Sequence, residues 1–319
     1  MMGQQLPTEL VRTLKREKYQ LIGHHSAAKK CSWFHKSLTG GMACYKSQFY
    51  GIKSWRCLQM TPTIAHCTLR CSFCWRVQST DLGLSFNETA LQAYDEPELI
   101  VDEALNAQRR ILSGYKAHPR LNKNRYEEAK FPAHAAISLA GEPTLYPKIG
   151  KLIGEFRRRG LTTFLVTNGT CPDMLANLEV EPSQLYVSVC ASTEEMFART
   201  CRPNILGAWG KLQQTLSLLK SFSCPTVMRL TLARGVNLFD PEGYGKLVTR
   251  AEPTYVEPKA YVYVGMSRLR LNYENMPTHG EVSHFADVLS KATGYKMIDE
   301  SLPSRVVLLS RSNKPKKIA

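Results

Sequence analysis

No apolar run in this sequence reaches the roughly 18 residues that a helix needs to cross a bilayer. The opening stretch, MMGQQLPTELVRTLKREKYQ, has helical periodicity but no uninterrupted apolar segment of the kind a secretory signal carries. A membrane partner is therefore not expected, and a cytoplasmic protein is. No segment repeats, which sets solenoids and arrays aside. Acidic residues are in short supply: 27 Asp and Glu stand against 42 Lys and Arg, for a net charge of +15. An excess of this size favours a polyanionic partner, nucleic acid first. Paired zinc motifs are also missing. Cys71-x-x-Cys74 has no second CxxC and no HxxxH downstream.

What is present begins with length. At 319 residues and 43% hydrophobic, the chain can build one large α/β barrel or two small domains. Periodicity over 7–22 predicts a leading amphipathic helix. The stretch 23–58 is irregular, with Gly40, Gly41, Gly51 and many Lys, His and Cys. It has little to bury and needs something else to order it. From residue 60 onward β-rich runs alternate with amphipathic ones. Strands are expected at 61–66, 134–139, 162–166, 185–189, 226–232, 255–264 and 305–309. Helices are expected at 95–113, 148–159, 172–177, 193–199, 207–222, 241–251 and 280–292. Such alternation argues for a parallel sheet with crossover helices, and the number of units suits a partial (β/α) barrel. Residues 114–131 read as a polar basic insertion, and 311–319 as a basic flexible tail.

Ten cysteines are many for an intracellular chain, where structural disulfides are rare. Six of them lie between residues 31 and 74. Cys67, Cys71 and Cys74 have CxxxCxxC spacing, which lets one loop ligate three irons of a [4Fe–4S] cube. The fourth iron is left open, as a catalytic metal requires. The competing reading is a zinc knuckle built on Cys71 and Cys74 with two distant ligands. Upstream, Cys31, Cys44 and Cys57 are evenly spaced, and no short metal motif has that spacing. By spacing alone they read equally well as free thiols in a small subdomain. The loop-rich composition around them favours ordering by a metal.

With Phe73 before its last cysteine, the motif His66-Cys67-Thr-Leu-Arg-Cys71-Ser-Phe73-Cys74-Trp75-Arg resembles the signature of the radical S-adenosylmethionine (radical SAM) superfamily. That resemblance implies a partial, TIM-like barrel. It also implies S-adenosylmethionine chelated at the open iron. Candidate cofactor contacts follow at successive strand ends: Phe73 itself, Gly141, Glu142 and Pro143, then Thr167, Asn168 and Gly169, then Ser188 and Ser192, then Arg229 and Asn237. Read alone, each is a turn residue or a satisfied polar group.

The resemblance narrows further along nearly the whole chain. The evenly spaced upstream cysteines, SLAGEPTLYPKI (138–149), TNGT (167–170), RPN (202–204), AWGKLQQTLSLL (208–219), MRLTLARGVN (228–237), VEPKAYVYVGMSRLRL (256–271) and NMPTHGEV (275–282) are similar to the radical SAM family of tRNA wyosine synthesis. The family implies two [4Fe–4S] clusters, the second on Cys31, Cys44 and Cys57. It implies a substrate, N1-methylguanosine at position 37 of phenylalanine tRNA, and a two-carbon donor, pyruvate. The product is 4-demethylwyosine. Pyruvate activation as a Schiff base would fall to Lys46 first and Lys53 second. The chain looks like the stand-alone archaeal form, so it would take electrons from an external donor and act as a monomer. Candidate RNA contacts are the 114–130 insertion, Lys259, Arg268 and Arg270. The expected organisation is an extension at 1–58 carrying the second cluster, a barrel at 59–310 and the tail. Two alternatives stay open: a radical SAM enzyme on a non-tRNA substrate, and a non-enzymatic metal-bearing RNA-binding protein.

Overall fold

The computed structural model describes residues 6–318. Residues 1–5 of the expected extension and Ala319 of the tail lie outside them. Ten strands form one sheet in the order β1-β2-β3-β4-β5-β6-β7-β8-β10-β9. Six are parallel: β3 (Cys57–Thr61), β4 (His134–Ile137), β5 (Thr162–Thr167), β6 (Gln184–Ser188), β7 (Thr226–Leu232) and β8 (Tyr255–Ala260). They form the expected partial barrel. An antiparallel hairpin, β1 (Gln20–Ile22) and β2 (Ser26–Ala28), extends one edge. The pair β9 (Lys296–Ser301) and β10 (Val306–Ser310), also antiparallel, extends the other.

The chain carries eleven α-helices among the described residues: α1 (Thr8–Arg16), α2 (Ser32–Leu38), α3 (Tyr45–Tyr50), α4 (Pro97–Ser113), α5 (Lys123–Ala129), α6 (Ile149–Arg158), α7 (Pro172–Ala176), α8 (Glu194–Cys201), α9 (Ala208–Leu218), α10 (Pro241–Ala251) and α11 (His279–Thr293). The period-2 alternation of the strands sorts their side chains onto two faces. Leu165, Leu185, Val187, Met228, Leu230 and Val256 share the outer core with residues of α4, α6, α9, α10 and α11. Phe164, Tyr186, Val227 and Tyr255 point the other way, into the barrel. There they meet Tyr45, Phe49 and Tyr50 of α3.

The structure moves several expected boundaries. The first parallel strand is Cys57–Thr61, not 61–66. Pro62 has no N–H to give to a ladder, so the strand stops before it and 62–66 becomes the loop that leads to the cysteines. The leading helix ends at Arg16 rather than 22, where Lys18 adopts a φ of 66° and the chain turns into β1. The extension is not a separate domain: the boundary at 58 falls inside β3, and α3 sits inside the barrel. Nor is the described part of the tail loose. Lys316 N–H donates to the Tyr255 hydroxyl (2.7 Å), Ile318 N–H to the Tyr50 carbonyl (2.9 Å), and Lys317 Nζ to the Gln48 carbonyl (2.7 Å). No helix among the described residues is long and apolar enough to cross a membrane.

Candidate active site

Cys67, Cys71 and Cys74 line one cavity at the carboxyl ends of the strands, together with Phe73, Gly141, Asn168 and Ser188. Their segment is gripped from several sides. Arg70 N–H donates to the Cys201 carbonyl (3.1 Å) and Ser72 N–H to the Thr200 carbonyl (2.9 Å), which docks the end of α8 beside Cys71. Arg270 donates to the carbonyls of Ser72 (3.3 Å) and Cys74, and to Asp81 Oδ2 (2.6 Å). Buried Arg76 donates to the Leu69 carbonyl (3.2 Å) and pairs with Glu88 at 3.5 Å.

Burial pushes the Cys67 thiol up to about 12 and raises that of Cys74, while Arg76 pulls both back. Buried thiolates need a cationic partner, and iron supplies one. Leu69 N–H and Asn168 Nδ2–H aim at Cys67 Sγ from 3.5 and 3.7 Å. Donors pointed at sulfur suit a cluster-bound thiolate. Among the described residues no three His, Cys, Asp or Glu side chains converge as ligands of one ion would. A four-iron cube spreads its thiolates over separate irons and needs no such convergence. The three residues fit a [4Fe–4S] cluster.

Glu142 is buried and holds the rim together. Its Oε1 accepts from Thr144 N–H (3.1 Å), Thr144 Oγ1 (2.6 Å) and Thr167 Oγ1 (2.6 Å), and its Oε2 from Asn168 N–H (2.6 Å). Burial raises its carboxyl and these bonds oppose the rise. Its place is therefore to fix the β4 and β5 loops around the cavity. Pro143 opens the short 3-10 turn between them. Gly141 has a φ of +71°, and a Cβ there would stand 1.8 Å from the Thr63 carbonyl, so the close crossing excludes any side chain. Gly169 follows at the next rim turn, its N–H on Thr167 Oγ1 at 3.0 Å.

Three expected cofactor contacts are found elsewhere. Asn237 is buried and fully used: Nδ2 donates to the carbonyls of Cys190 (2.9 Å) and Thr231 (2.8 Å), and Oδ1 accepts from Ala233 N–H (2.7 Å). Ser192 gives its hydroxyl to Asp240. Arg229 belongs to the second cysteine set.

That set meets beneath the first. Cys31 caps α2, with its sulfur accepting Phe34 N–H at 3.2 Å; Cys44 precedes α3; and Cys57 opens β3. Burial, then the neighbouring Cys44, pushes the Cys31 thiol up to about 11, and burial also raises Cys44 and Cys57. Lys46, on the first turn of α3, reaches into the barrel. Its Nζ stands 4.5 Å over the Phe164 ring and 3.9 Å over the Tyr186 ring. Burial, then the Arg229 guanidinium, brings this amine down to about 8. Outside Cys44 a hollow of about 450 Å³ opens between Met42, Gln48 and Leu302.

The two sites share one interior. Phe164, Tyr186 and Arg229 surround Lys46. Two residues further along the same strands, on the same face, Val166, Ser188 and Thr231 line the cavity of the first cysteines. One step of that kind is about 6.6 Å.

Three expected roles need correction. Lys53 is half exposed and paired with Glu128 at 3.2 Å, so it is no candidate for a covalent role in the interior. Lys259 does not face RNA: β8 turns it inward, where it donates to the Ser304 carbonyl (2.7 Å) beside the Tyr45 ring. Arg270 is consumed by the cluster loop. The 114–130 insertion is anchored on one side only, and its Lys116, Arg120, Lys123 and Lys130 stand exposed. Its helix α5 packs Tyr126 and Ala129 on Phe34 and Leu38, and Arg125 donates to the Ser37 carbonyl (2.8 Å). Arg268 stands exposed. Sequence reasoning missed Glu257, a buried carboxylate among Tyr45, Tyr50 and Tyr186. The signal was there, because alternation from Lys259 puts residue 257 on the same face.

Fold and site together define a radical SAM enzyme, and residues 61–248 match the radical SAM superfamily. Residues 250–311 match a second family, wyosine base formation. The chain belongs to the family of S-adenosyl-L-methionine-dependent tRNA 4-demethylwyosine synthases. Its relative of that name from Pyrococcus abyssi is 47% identical over 97% of this chain and 90% of its own length. The one from Methanocaldococcus jannaschii is 38% identical over 97% and 98%. Among solved structures, one of TYW1 described with a lysine-pyruvate adduct bound superposes with a TM-score of 0.88 at 36% identity, covering 98% of this chain and all of the other. An archaeal TYW1 structure gives 0.79 at 33%, covering 98% and 99%.

Proposed function

We propose that this chain condenses N1-methylguanosine at position 37 of phenylalanine tRNA with two carbons of pyruvate to give 4-demethylwyosine. The observation that carries the reading is the shared interior. Lys46 and the cavity of Cys67, Cys71 and Cys74 lie one strand step apart on the same faces of β5, β6 and β7. The names of the relatives and the lysine-pyruvate adduct of a solved relative point the same way.

Cys67, Cys71 and Cys74 would hold a [4Fe–4S] cluster with its open iron toward S-adenosylmethionine. Reduced by one electron from a separate donor, that pair supplies a 5′-deoxyadenosyl radical. The chain's own residues do the rest. Phe73 and Gly141 shape the cavity, Glu142 fixes the Thr167 and Asn168 turn, and Ser188 faces it from β6. Cys31, Cys44 and Cys57 would hold a second [4Fe–4S] cluster beside Lys46. The Lys46 amine attacks the ketone carbon of pyruvate. A C–N bond forms, water leaves, and the iminium carbon is more electrophilic than the ketone was. Arg229 and Lys259 put positive charge beside the pyruvate carboxylate. The methyl carbon of the nucleoside, stripped of one hydrogen, then adds to that iminium carbon. The C1–C2 bond of pyruvate breaks, the carboxyl carbon leaves as carbon dioxide, and the electron released balances the one taken up in cleaving S-adenosylmethionine. The 2-amino group of the guanine displaces the Lys46 amine to close the third ring.

The test is the mass of the nucleoside released from N1-methylated tRNA after anaerobic incubation with pyruvate and reductant. A tricyclic base with two added carbons is expected. Reductive cleavage of S-adenosylmethionine with the nucleoside unaltered would count against the proposal. Iron tests the second cluster. The wild-type protein should bind about eight irons, and a Cys31/Cys44/Cys57 triple alanine variant about four. Equal iron in both would make those cysteines structural.

A further inference from the structure

Twelve large apolar side chains are exposed among the described residues, and four of them, Val262, Val264, Leu269 and Tyr273, fall in one loop after β8. Single exposed apolar residues are ordinary, but a run of them in one loop marks a contact surface. Leu269 and Tyr273 are 67% and 63% exposed. The Tyr273 ring meets Tyr263 edge-on at 6.1 Å, and the Arg268 guanidinium lies 5.2 Å over the Tyr263 ring. Among the described residues no carboxylate pairs with Arg268.

The loop is anchored on its inner side to the first cysteine segment. Met266 N–H donates to the Trp75 carbonyl (3.0 Å), and a Cβ at Gly265 would stand 2.5 Å from that same oxygen. Arg270 holds the Cys74 carbonyl. Ser267 Oγ donates to the Val264 carbonyl (2.6 Å) and meets the Tyr261 hydroxyl (2.8 Å). At the far end Arg234 N–H donates to the Asn275 carbonyl (2.8 Å), and its guanidinium to the Glu274 carbonyl (2.9 Å). A fixed backbone therefore presents rings, aliphatic side chains and one unpaired cation at the lip of the cavity.

We propose that residues 262–273 form a stacking platform for unpaired bases of the RNA loop that carries the target nucleotide. Tyr263 and Tyr273 take base faces, and Arg268 takes a flanking phosphate. This rests on the function proposed above. The physics favours RNA over a protein partner on two counts. The chain's net charge is +15, and the cation on the platform is free. A base brought to the cavity must also leave its stack, and aromatic rings beside the cavity replace what it loses.

The experiment measures the affinity of cluster-reconstituted protein for N1-methylated phenylalanine tRNA across a salt series. Tyr263→Ala and Tyr273→Ala should each weaken binding about 5- to 100-fold with the salt slope unchanged, because stacking releases no counterions. Tyr263→Phe should keep wild-type affinity, since the ring remains. Arg268→Ala should reduce the slope by about 0.7–0.9. Wild-type affinity in both alanine variants overturns the platform and leaves the proposed function standing, because product formation by the wild-type protein tests that function. Alanine variants that bind tRNA normally but fail to accept electrons from a protein donor would assign the surface to that donor instead, and would equally overturn it.

Discussion

Arg229 and Glu257 stand opposite one another on β7 and β8, their Cα atoms in register and Nη2 and Oε2 3.0 Å apart. Glu257 has no exposure, yet it accepts from the hydroxyls of Tyr45 (3.0 Å), Tyr50 (2.7 Å) and Tyr186 (3.3 Å). Burial alone would raise its carboxyl, but Arg229 and Lys46 hold it below its ordinary value. Through Tyr45 and Tyr50 the pair fastens α3, and so Lys46, to the barrel wall.

Glu257→Gln should therefore destabilise the fold. It leaves Arg229 without a countercharge in a buried site, a loss on the order of 3–5 kcal/mol. Denaturant unfolding measures it. Replacing both partners, Arg229→Met with Glu257→Leu, should recover much of the loss, since no charge is then left alone. A Glu257→Gln variant as stable as wild type would mean that the pair does not hold α3.

Arg270 separates a structural cation from an RNA contact. Arg270→Ala frees the carbonyls of Ser72 and Cys74 and leaves Asp81 unpaired, so the first cluster should lose iron faster on dilution. The salt slope of tRNA binding should not change, because the side chain faces inward. Normal iron retention with a shallower slope would return Arg270 to the RNA surface.

His134, the first residue of β4, is held neutral at about 4 by burial, with Arg56 and Lys53 adding to the effect. Its Nε2 accepts Lys53 N–H (3.1 Å), which leaves Nδ1 to donate to Thr162 Oγ1 (2.7 Å). The folded value lies below the unfolded one, so as pH falls past about 6.5 the unfolded chain takes a proton that the folded chain refuses. Stability is then lost with falling pH, by about 2 kcal/mol between pH 7 and 5. Unfolding free energies of wild type and His134→Gln across that range check this. The wild-type curve should fall more steeply, and parallel curves would contradict it.

Most of the barrel was legible because its strands alternate regularly with amphipathic helices, and the cysteine spacing declared the first site. What was not legible depends on direction. TPTIAH looks like a strand by composition, but Pro62 breaks the ladder, so the strand lies upstream and begins at Cys57. Lys259 and Arg270 contribute to the net charge exactly as a surface cation does; only the alternation of β8 and the folding-back of the next loop turn them inward. Lys46 lies two residues from Cys44 and Lys53 four from Cys57, but α3 sends the first into the barrel while the second meets Glu128 at the surface. Composition also made the tail look free, whereas backbone bonds to Tyr50 and Tyr255 seat it against α3 and β8.

The central claim is that Lys46 presents pyruvate inside the barrel, one strand step from the first cysteines. Borohydride reduction of the active enzyme with labelled pyruvate, followed by peptide mapping, tests it most directly. Label should appear on the peptide containing Lys46, and Lys46→Ala should lose both label and product. Label on the peptide of Lys53 or Lys259, or active enzyme that forms no adduct at all, would contradict the claim.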